Sequence, residues 1–93
     1  MEIVFLDMYH PKMDDEKIIL SRIGLTIRKY RLAQSLSQER LAEKAGLHHT
    51  YIGMIERAER TPSILSVWKI SVALGIKIDD LFKEDIDEYS RGY

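Results

Sequence analysis

One stretch of 20 residues, from Leu36 to Ile55, limits what this chain can fold into more than any other part of the sequence. It reads LSQERLAEKAGLHHTYIGMI. Ser37 is a residue type that caps helix N-termini, and Gly46 readily takes the left-handed conformation in which helices end. These residues predict two short helices joined by a tight turn. In the second helix Ile52 and Ile55 share one side, so we expect that side to be buried and the other, with its hydrogen-bonding side chains, to be exposed.

A helix pair of this kind can lay its second helix in the major groove of DNA. The formal net charge of the chain is −1, which by itself does not favour a nucleic-acid partner. The charge is unevenly distributed, however. Residues 22–60 hold eight Lys or Arg and four Asp or Glu, a net of +4, and both flanks are acidic. Local potential attracts phosphate more than total charge does, so the pattern favours a sequence-reading DNA-binding protein.

The hydrophobic pattern predicts an all-α fold of five helices. The first spans residues 14–34, with Asp14 as its cap. Its apolar positions recur at helical spacing and predict one buried face, formed by Ile19, Ile23, Ile27 and Tyr30. The third opens at His48 or His49. The fourth spans residues 63–74, from a capping serine to the residue before a glycine, and a fifth short helix begins near Asp79.

The fourth helix carries two apolar stripes. One consists of Ile64, Val67, Ile70 and Leu74. The other consists of Leu65, Trp68 and Val72. A monomer of this size needs only one buried face, so the second stripe predicts a surface for a partner. With Leu81 and Phe82 it forms the predicted dimer interface. The alternative is that Trp68 wraps the edge of its own core.

Composition argues against several other classes of protein. The chain has no cysteine, which excludes disulfides and thiolate metal sites. His48 and His49 are adjacent, so we expect their side chains to point about 100° apart on a helix and not to share a metal. No glycine-rich phosphate loop precedes a helix, and no nucleophile–base pattern occurs. We therefore expect no enzymatic activity, no metal and no cofactor.

The length of 93 residues corresponds to one domain. We assign residues 1–13 to an N-terminal arm, either a short strand or disordered, residues 14–84 to the helix-turn-helix domain, and residues 85–93 to a fraying tail. The apolar run at Ile3–Leu6 is short and lacks a basic lead, so we expect neither a signal peptide nor a membrane span.

Residues 23–82 resemble a known family. The matching marks are Arg28, Arg31, Leu36-Ser37-Gln38, Leu41-Ala42, Ala45-Gly46-Leu47, Ile52, Ile55-Glu56-Arg57, Pro62-Ser63 and Ala73-Leu74-Gly75. In this register they are similar to the phage-repressor/Cro (XRE) helix-turn-helix family. The run from Gly46 to Ile52 and the ending at Leu81-Phe82 look most like the small controller regulators of restriction–modification systems. The resemblance implies a five-helix, lambda-repressor-like DNA-binding domain of a prokaryotic or phage protein, usually a homodimer that regulates transcription.

On the second helix of the pair, the recognition helix, four residues are expected to face base edges: His49, Thr50, Gly53 and Met54. Thr50 can bond a base edge or pack its methyl group on thymine, and His49 can donate to guanine. The family uses the position of Gln38 on DNA. The full set of expected backbone contacts is Arg28, Gln38, Lys44, Tyr51, Arg57 and Arg60. Arg57 and Arg60 could instead pair with Glu56 and Glu59.

The chain departs from its relatives at two positions of this helix. Controller-like proteins often have Arg where His49 stands, and a neutral imidazole offers one donor rather than a fork, so we expect weaker guanine readout. Ala58 stands where the family commonly has Gly to end the helix. Because alanine at positive φ would be strained, we expect the helix to run one residue further.

These observations predict a cytoplasmic, sequence-specific transcription regulator that binds double-stranded DNA as a homodimer on a near-palindromic operator. The main alternative is an antitoxin-like or other protein-interaction module on the same DNA-binding fold, in which the arm or tail covers a small protein partner. The apolar run Ile3–Met8 supports that alternative. A non-specific DNA-coating protein fits less well, because such binding needs many phosphate contacts. The sequence does not specify the operator, the direction of regulation or the regulated gene.

Overall fold

The structure, a computed structural model, describes residues 13–82 of the chain. Within this range the first four helices are α1 (Met13–Ala33), α2 (Gln38–Ala45), α3 (His49–Glu56) and α4 (Ile64–Leu74). A fifth helical segment, α5, begins at residue 80 and reaches the end of the described range. No strand occurs in residues 13–82, so the predicted all-α, five-helix fold is confirmed. The first helix includes Met13, which we had assigned to the arm; residues 1–12 and 83–93 lie outside the described part.

Local sequence signals set the helix ends. The Ser37 hydroxyl accepts a hydrogen bond from Arg40 N at 3.0 Å, and the Ser63 hydroxyl accepts one from Ser66 N at 3.0 Å. Gly46 and Gly75 end α2 and α4 with φ angles of 68° and 71°. Each of these four caps was predicted, because capping depends on a single residue and its immediate neighbours.

The hydrophobic core lies where α1, α2, α3, α4 and the start of α5 meet. Its buried members are Ile23, Ile27, Leu41, Ala42, Ala45, Ile52, Ile55, Val67, Ile70, Leu74 and Leu81. Ile52 and Ile55 are fully enclosed, as the period of the sequence predicted. They fix the rotation of α3, and that rotation decides which of its residues face outward.

Gly24 lets α1 approach the end of α3 closely. A Cβ atom placed on Gly24 would lie 2.5 Å from the carbonyl oxygen of Ile55 and 2.7 Å from that of Glu56. Both atoms belong to the backbone and cannot move aside as a side chain could. The glycine is therefore required by the packing of α1 against α3, even though glycine is a poor helix former.

Two of the predicted core residues are exposed. Ile19 is 51% exposed and Ile64 is 72% exposed. Along α1 the buried positions begin at Ile23, and Ile64 is the first residue of α4. Periodicity predicts which residues share a face of a helix, but it does not indicate how far the neighbouring helices extend to cover that face.

Candidate nucleic-acid interface

The turn between α2 and α3 holds the two helices in a fixed relation. The backbone N–H of Gly46 donates to Ala42 O and Glu43 O, and that of Leu47 donates to Ala42 O at 2.9 Å. These bonds satisfy the last carbonyls of α2 and reverse the chain within a few residues. With Ile52 and Ile55 buried beneath it, α3 presents its N-terminal end to solvent.

The N-terminal end of α3 is capped by a histidine. The Nδ1 atom of His48 accepts from Thr50 N at 3.3 Å and lies 2.8 Å from Thr50 Oγ1. The His48 and His49 rings stack, with centroids 4.6 Å apart and planes 24° from parallel. Our prediction that the two side chains point about 100° apart was wrong, because His48 has extended backbone (ψ 142°) and lies outside the helix.

Of the four predicted base-reading residues, His49 and Thr50 are exposed and Met54 is half-buried. They line an open groove together with Gln38 and Arg57. Gly53 lines the same groove, as expected, but it is buried at its floor: a Cβ atom placed on it would lie 3.0 Å from an Arg57 guanidinium nitrogen and 3.1 Å from Gln38 Oε1. The helical period thus gives the correct face for Gly53, and the longer side chains of Arg57 and Gln38 cover it there.

Gln38 belongs to a buried polar network that the sequence did not predict. The carboxylate of Glu56 accepts from Arg31 Nε at 2.7 Å, from the second terminal nitrogen of Arg31 at 3.0 Å and from Gln38 Nε2 at 3.0 Å. Arg31 also donates to the carbonyl of Leu36 at 2.8 Å. The network joins α1, the α1–α2 loop, α2 and α3. Arg31 appeared only as a family mark, and Glu56 as a family mark and as a possible partner of Arg57 or Arg60, since neither periodicity nor composition predicts that two distant charges meet.

The predicted phosphate-contacting cations differ in their surroundings. Arg57 donates to both carboxylate oxygens of Glu59, at 2.8 and 3.1 Å, as the alternative pairing anticipated. This hydrogen bond and the charge of the partner raise the pKa of Arg57, and the same hydrogen bond lowers the pKa of Glu59. Arg60 lies over the ring of Tyr51, 5.6 Å from its centroid. Arg28 and Lys44 are exposed.

The end of α3 differs from our expectation. The helix stops at Glu56 and does not run further; Ala58 has φ 59°, in the left-handed region. Glu59 N donates to Met54 O at 2.8 Å, and Ala58 N donates to Ile55 O at 3.0 Å. These bonds satisfy the last carbonyls of α3 and require a left-handed residue between them. Ala58 therefore keeps a strained left-handed conformation, and α3 is not extended by a further residue that would relieve it.

The predicted dimer interface is exposed except for one residue. Leu65, Trp68 and Val72 on α4 and Phe82 on α5 are all exposed, Trp68 to 52%. This exposure favours a partner surface over the alternative in which Trp68 wraps the edge of its own core. Leu81 is 1% exposed and belongs to the core, which corrects its assignment to the interface. Its side chain turns inward because α5 packs on the other helices. We call Leu65, Trp68, Val72 and Phe82 the α4–α5 patch.

The helix-turn-helix family model HTH_3 matches residues 27–81, more than half of the chain. The chain belongs to this family. Control protein C.BamHI of Bacillus amyloliquefaciens is 48% identical to this HTH_3 chain over 59 residues, which cover 62% of this chain and 73% of that protein. The restriction–modification controller protein C.AhdI from Aeromonas hydrophila has a similar structure, with a TM-score of 0.67 at 40% identity over 68% of this chain and 96% of that one.

The structure of a third relative, SinR, has been determined in complex with DNA. SinR, the master regulator for biofilm formation, in complex with DNA, gives a TM-score of 0.62 at 38% identity, over 64% of this chain and 97% of that one. The predicted family is therefore confirmed, and this HTH_3 chain belongs among DNA-binding transcription regulators. No helix within residues 13–82 has the length and apolar composition to cross a bilayer. In the same residues no three His, Cys, Asp or Glu side chains are placed to hold a metal ion.

Proposed function

We propose that this protein is a sequence-specific transcription regulator that binds a near-palindromic operator as a homodimer. The observation that carries the proposal is the exposed N-terminal end of α3, where His49 and Thr50 project from a helix anchored on its other side by Ile52 and Ile55. Residues at this end of a recognition helix reach base edges in the major groove. C.BamHI is a control protein and SinR has been solved with DNA, which supports the same role here.

In this proposal His49, Thr50 and Met54 contact bases. Gly53 contributes only if Gln38 and Arg57 move away from it. The expected backbone contacts are Arg28, Gln38, Lys44, Tyr51, Arg57 and Arg60. Gln38 is the first residue of α2, so the free N–H groups at that helix end can bind a phosphate while its side chain remains bonded to Glu56.

The α4–α5 patch is the proposed dimer interface. Three large apolar side chains on one face of α4, together with the exposed Phe82 on α5, favour burial against a second copy. In such a dimer the two recognition helices would enter successive major grooves, about 34 Å apart. Doubling the base contacts supplies affinity that one short helix lacks. The proposal includes a cytoplasmic location, where the DNA of a prokaryotic cell lies.

A second candidate function is an antitoxin-like or other protein-interaction module that also binds DNA. A separate apolar stripe on α1 favours it: Ile18, Leu25 and Leu32 recur every seven residues and are all exposed. A dimer formed through α4 and α5 does not account for this stripe. Recovery of a stoichiometric small protein with the tagged chain from its native host would support this function, and recovery of none would count against it.

The proposal is tested with Thr50→Ala and Arg28→Ala, compared on a selected duplex and on a scrambled one. Loss of a base contact should cost about 1–3 kcal/mol on the selected duplex alone, whereas loss of a phosphate contact should weaken binding to both and reduce the salt slope by about 1. Titrations by fluorescence anisotropy at several salt concentrations measure both quantities. If Thr50→Ala leaves the ratio of the two affinities unchanged, α3 is not the recognition helix.

A further inference from the structure

We infer that His48 sets which bases Thr50 can read, by fixing the Thr50 hydroxyl as a hydrogen-bond acceptor toward DNA. The inference rests on the proposed function, since it concerns the base contact of the same helix. It makes His48, which is not itself among the predicted DNA contacts, a positioning residue for sequence preference.

The cap of α3 decides which nitrogen of His48 carries hydrogen. Thr50 N is among the first N–H groups of the helix, which have no acceptor within the helix. It donates to Nδ1 of His48 at 3.3 Å. A nitrogen that accepts a hydrogen bond has a free lone pair, so the ring hydrogen of His48 is on Nε2. The opposite tautomer would leave the backbone N–H of Thr50 facing another N–H.

The tautomer of His48 then determines the direction of the hydrogen bond between His48 Nδ1 and Thr50 Oγ1. Thr50 Oγ1 lies 2.8 Å from the same Nδ1 atom, which is a normal hydrogen-bond distance. Because Nδ1 has no hydrogen to give, the hydroxyl must donate. A threonine hydroxyl has one hydrogen and two lone pairs, so only its lone pairs remain for other partners. The stacked His49 ring holds the His48 ring in this orientation.

An oxygen that can only accept discriminates between bases in the major groove. Adenine and cytosine present amino groups there, through N6 and N4, while guanine O6 and thymine O4 are acceptors. The lone pairs of Thr50 Oγ1 attract the amino groups and repel the keto oxygens. The structure thus assigns to Thr50 a preference for an amino-bearing base, A or C, over G or T.

The first step of the test locates the base that Thr50 contacts. Selection from a random duplex pool is run with the wild type and with Thr50→Val, which keeps the shape of the side chain and removes the hydroxyl. The position at which the preference disappears is the contact. Replacing the amino group of that base by hydrogen should lower wild-type affinity about five- to tenfold, the value of one hydrogen bond, and should not further weaken Thr50→Val.

The second step compares His48→Asn with His48→Ala. An asparagine cap accepts the Thr50 N–H through its carbonyl oxygen, so the hydroxyl still donates and the preference for A or C should persist. In His48→Ala the hydroxyl can rotate and donate, so discrimination between amino and keto bases should fall about five- to tenfold at that position alone. Thermal unfolding of both variants separates this effect from loss of α3, which would weaken all sequences alike.

Three results overturn the inference while leaving a DNA-binding regulator intact: a keto base at the Thr50 position, no change in preference with Thr50→Val, or undiminished discrimination in His48→Ala. A folded wild-type protein that enriches no sequence would instead overturn the proposed function, and the inference with it.

Discussion

Ala58, two residues beyond the end of the recognition helix, has a strained backbone conformation. Its φ of 59° places it in the left-handed region, where a Cβ atom contacts the following backbone. The hydrogen bonds from Ala58 N and Glu59 N to the last turn of α3 hold it there. The hydrogen bonds that end α3 therefore determine the backbone conformation at residue 58, although alanine itself disfavours a positive φ.

Replacing Ala58 by Gly should increase the free energy of unfolding by about 1 kcal/mol, because the strain of a left-handed alanine is removed. Chemical denaturation monitored by circular dichroism measures the change. Ala73→Gly, on α4, is the control and should lower stability by at least about 1 kcal/mol, since the substitution there costs helix propensity and removes a methyl group packed against the core. A loss of stability in Ala58→Gly would contradict the assigned conformation.

Glu59 restrains a cation of the proposed interface. Because the pKa of Glu59 is lowered by its bond to Arg57, the pair stays ionised at neutral pH. Glu59→Gln removes the carboxylate charge and releases the guanidinium for phosphate. Affinity for all duplexes should rise, and the slope of log affinity against log salt should steepen by about 1. Glu16→Gln, the same charge change in the first turns of α1, should leave the slope unchanged.

If the slope of log affinity against log salt is the same in Glu59→Gln and in the wild type, Arg57 does not contact a phosphate. The comparison with Glu16→Gln is needed because any loss of negative charge raises the general attraction for DNA. Only an Arg57 that moves onto a phosphate adds a released counterion to the binding reaction.

Among the elements, the contact of α1 with the end of α3 determines how the recognition helix is held. Gly24 permits the close approach of the two backbones, and the buried Arg31–Glu56 pair joins the same two helices a short distance along. Removing one partner of a buried pair leaves an uncompensated charge, so both features favour a single arrangement of α3.

Gly24→Ala should destabilise the protein by about 1–3 kcal/mol, the usual cost of overpacking, although glycine to alanine in a helix normally stabilises. Gly53→Ala is the matched control. Its Cβ would meet only the ends of the Arg57 and Gln38 side chains, which can move, so we expect a change within about 1 kcal/mol. Denaturation of both variants tests this difference; a stabilised Gly24→Ala would show that the helices are not in close contact.

The features that the sequence predicted are those that local residues decide. The caps at Ser37, Gly46 and Ser63, and the burial of Ile52 and Ile55, follow from single residues and helical period. The exposure of Ile19, the burial of Leu81 and the Arg31–Glu56 network depend on which distant elements meet, and no local pattern contains that information. At the candidate site, the exposure of His49 and Thr50 was predicted, but the covering of Gly53 and the capping by His48 were not.

At the scale of the molecule, residues 13–82 present two apolar surfaces on helix faces, the α4–α5 patch and the stripe on α1. Trp68 on the first and Leu32 on the second are almost equally exposed, at 52% and 53%. Each surface offers a docking site for another chain. If a second copy of the chain covers the α4–α5 patch, the stripe on α1 is left for a different partner.

Trp68→Glu should convert a dimer into a monomer, because a charge buried in an apolar interface without a partner is costly. Leu32→Glu introduces the same charge on the other surface and should leave the dimer intact. Light scattering coupled to size-exclusion chromatography gives the mass of each. A dimeric Trp68→Glu together with a monomeric Leu32→Glu would assign the interface to α1.

The most direct test of sequence reading by a dimer is selection of bound duplexes from a random pool by the wild-type protein at near-physiological salt. We predict enrichment of a near-palindrome whose half-sites are about 34 Å, one helical turn, apart. Enrichment of no sequence by a folded, dimeric protein would contradict it, and would favour a function in which the exposed apolar surfaces bind another protein.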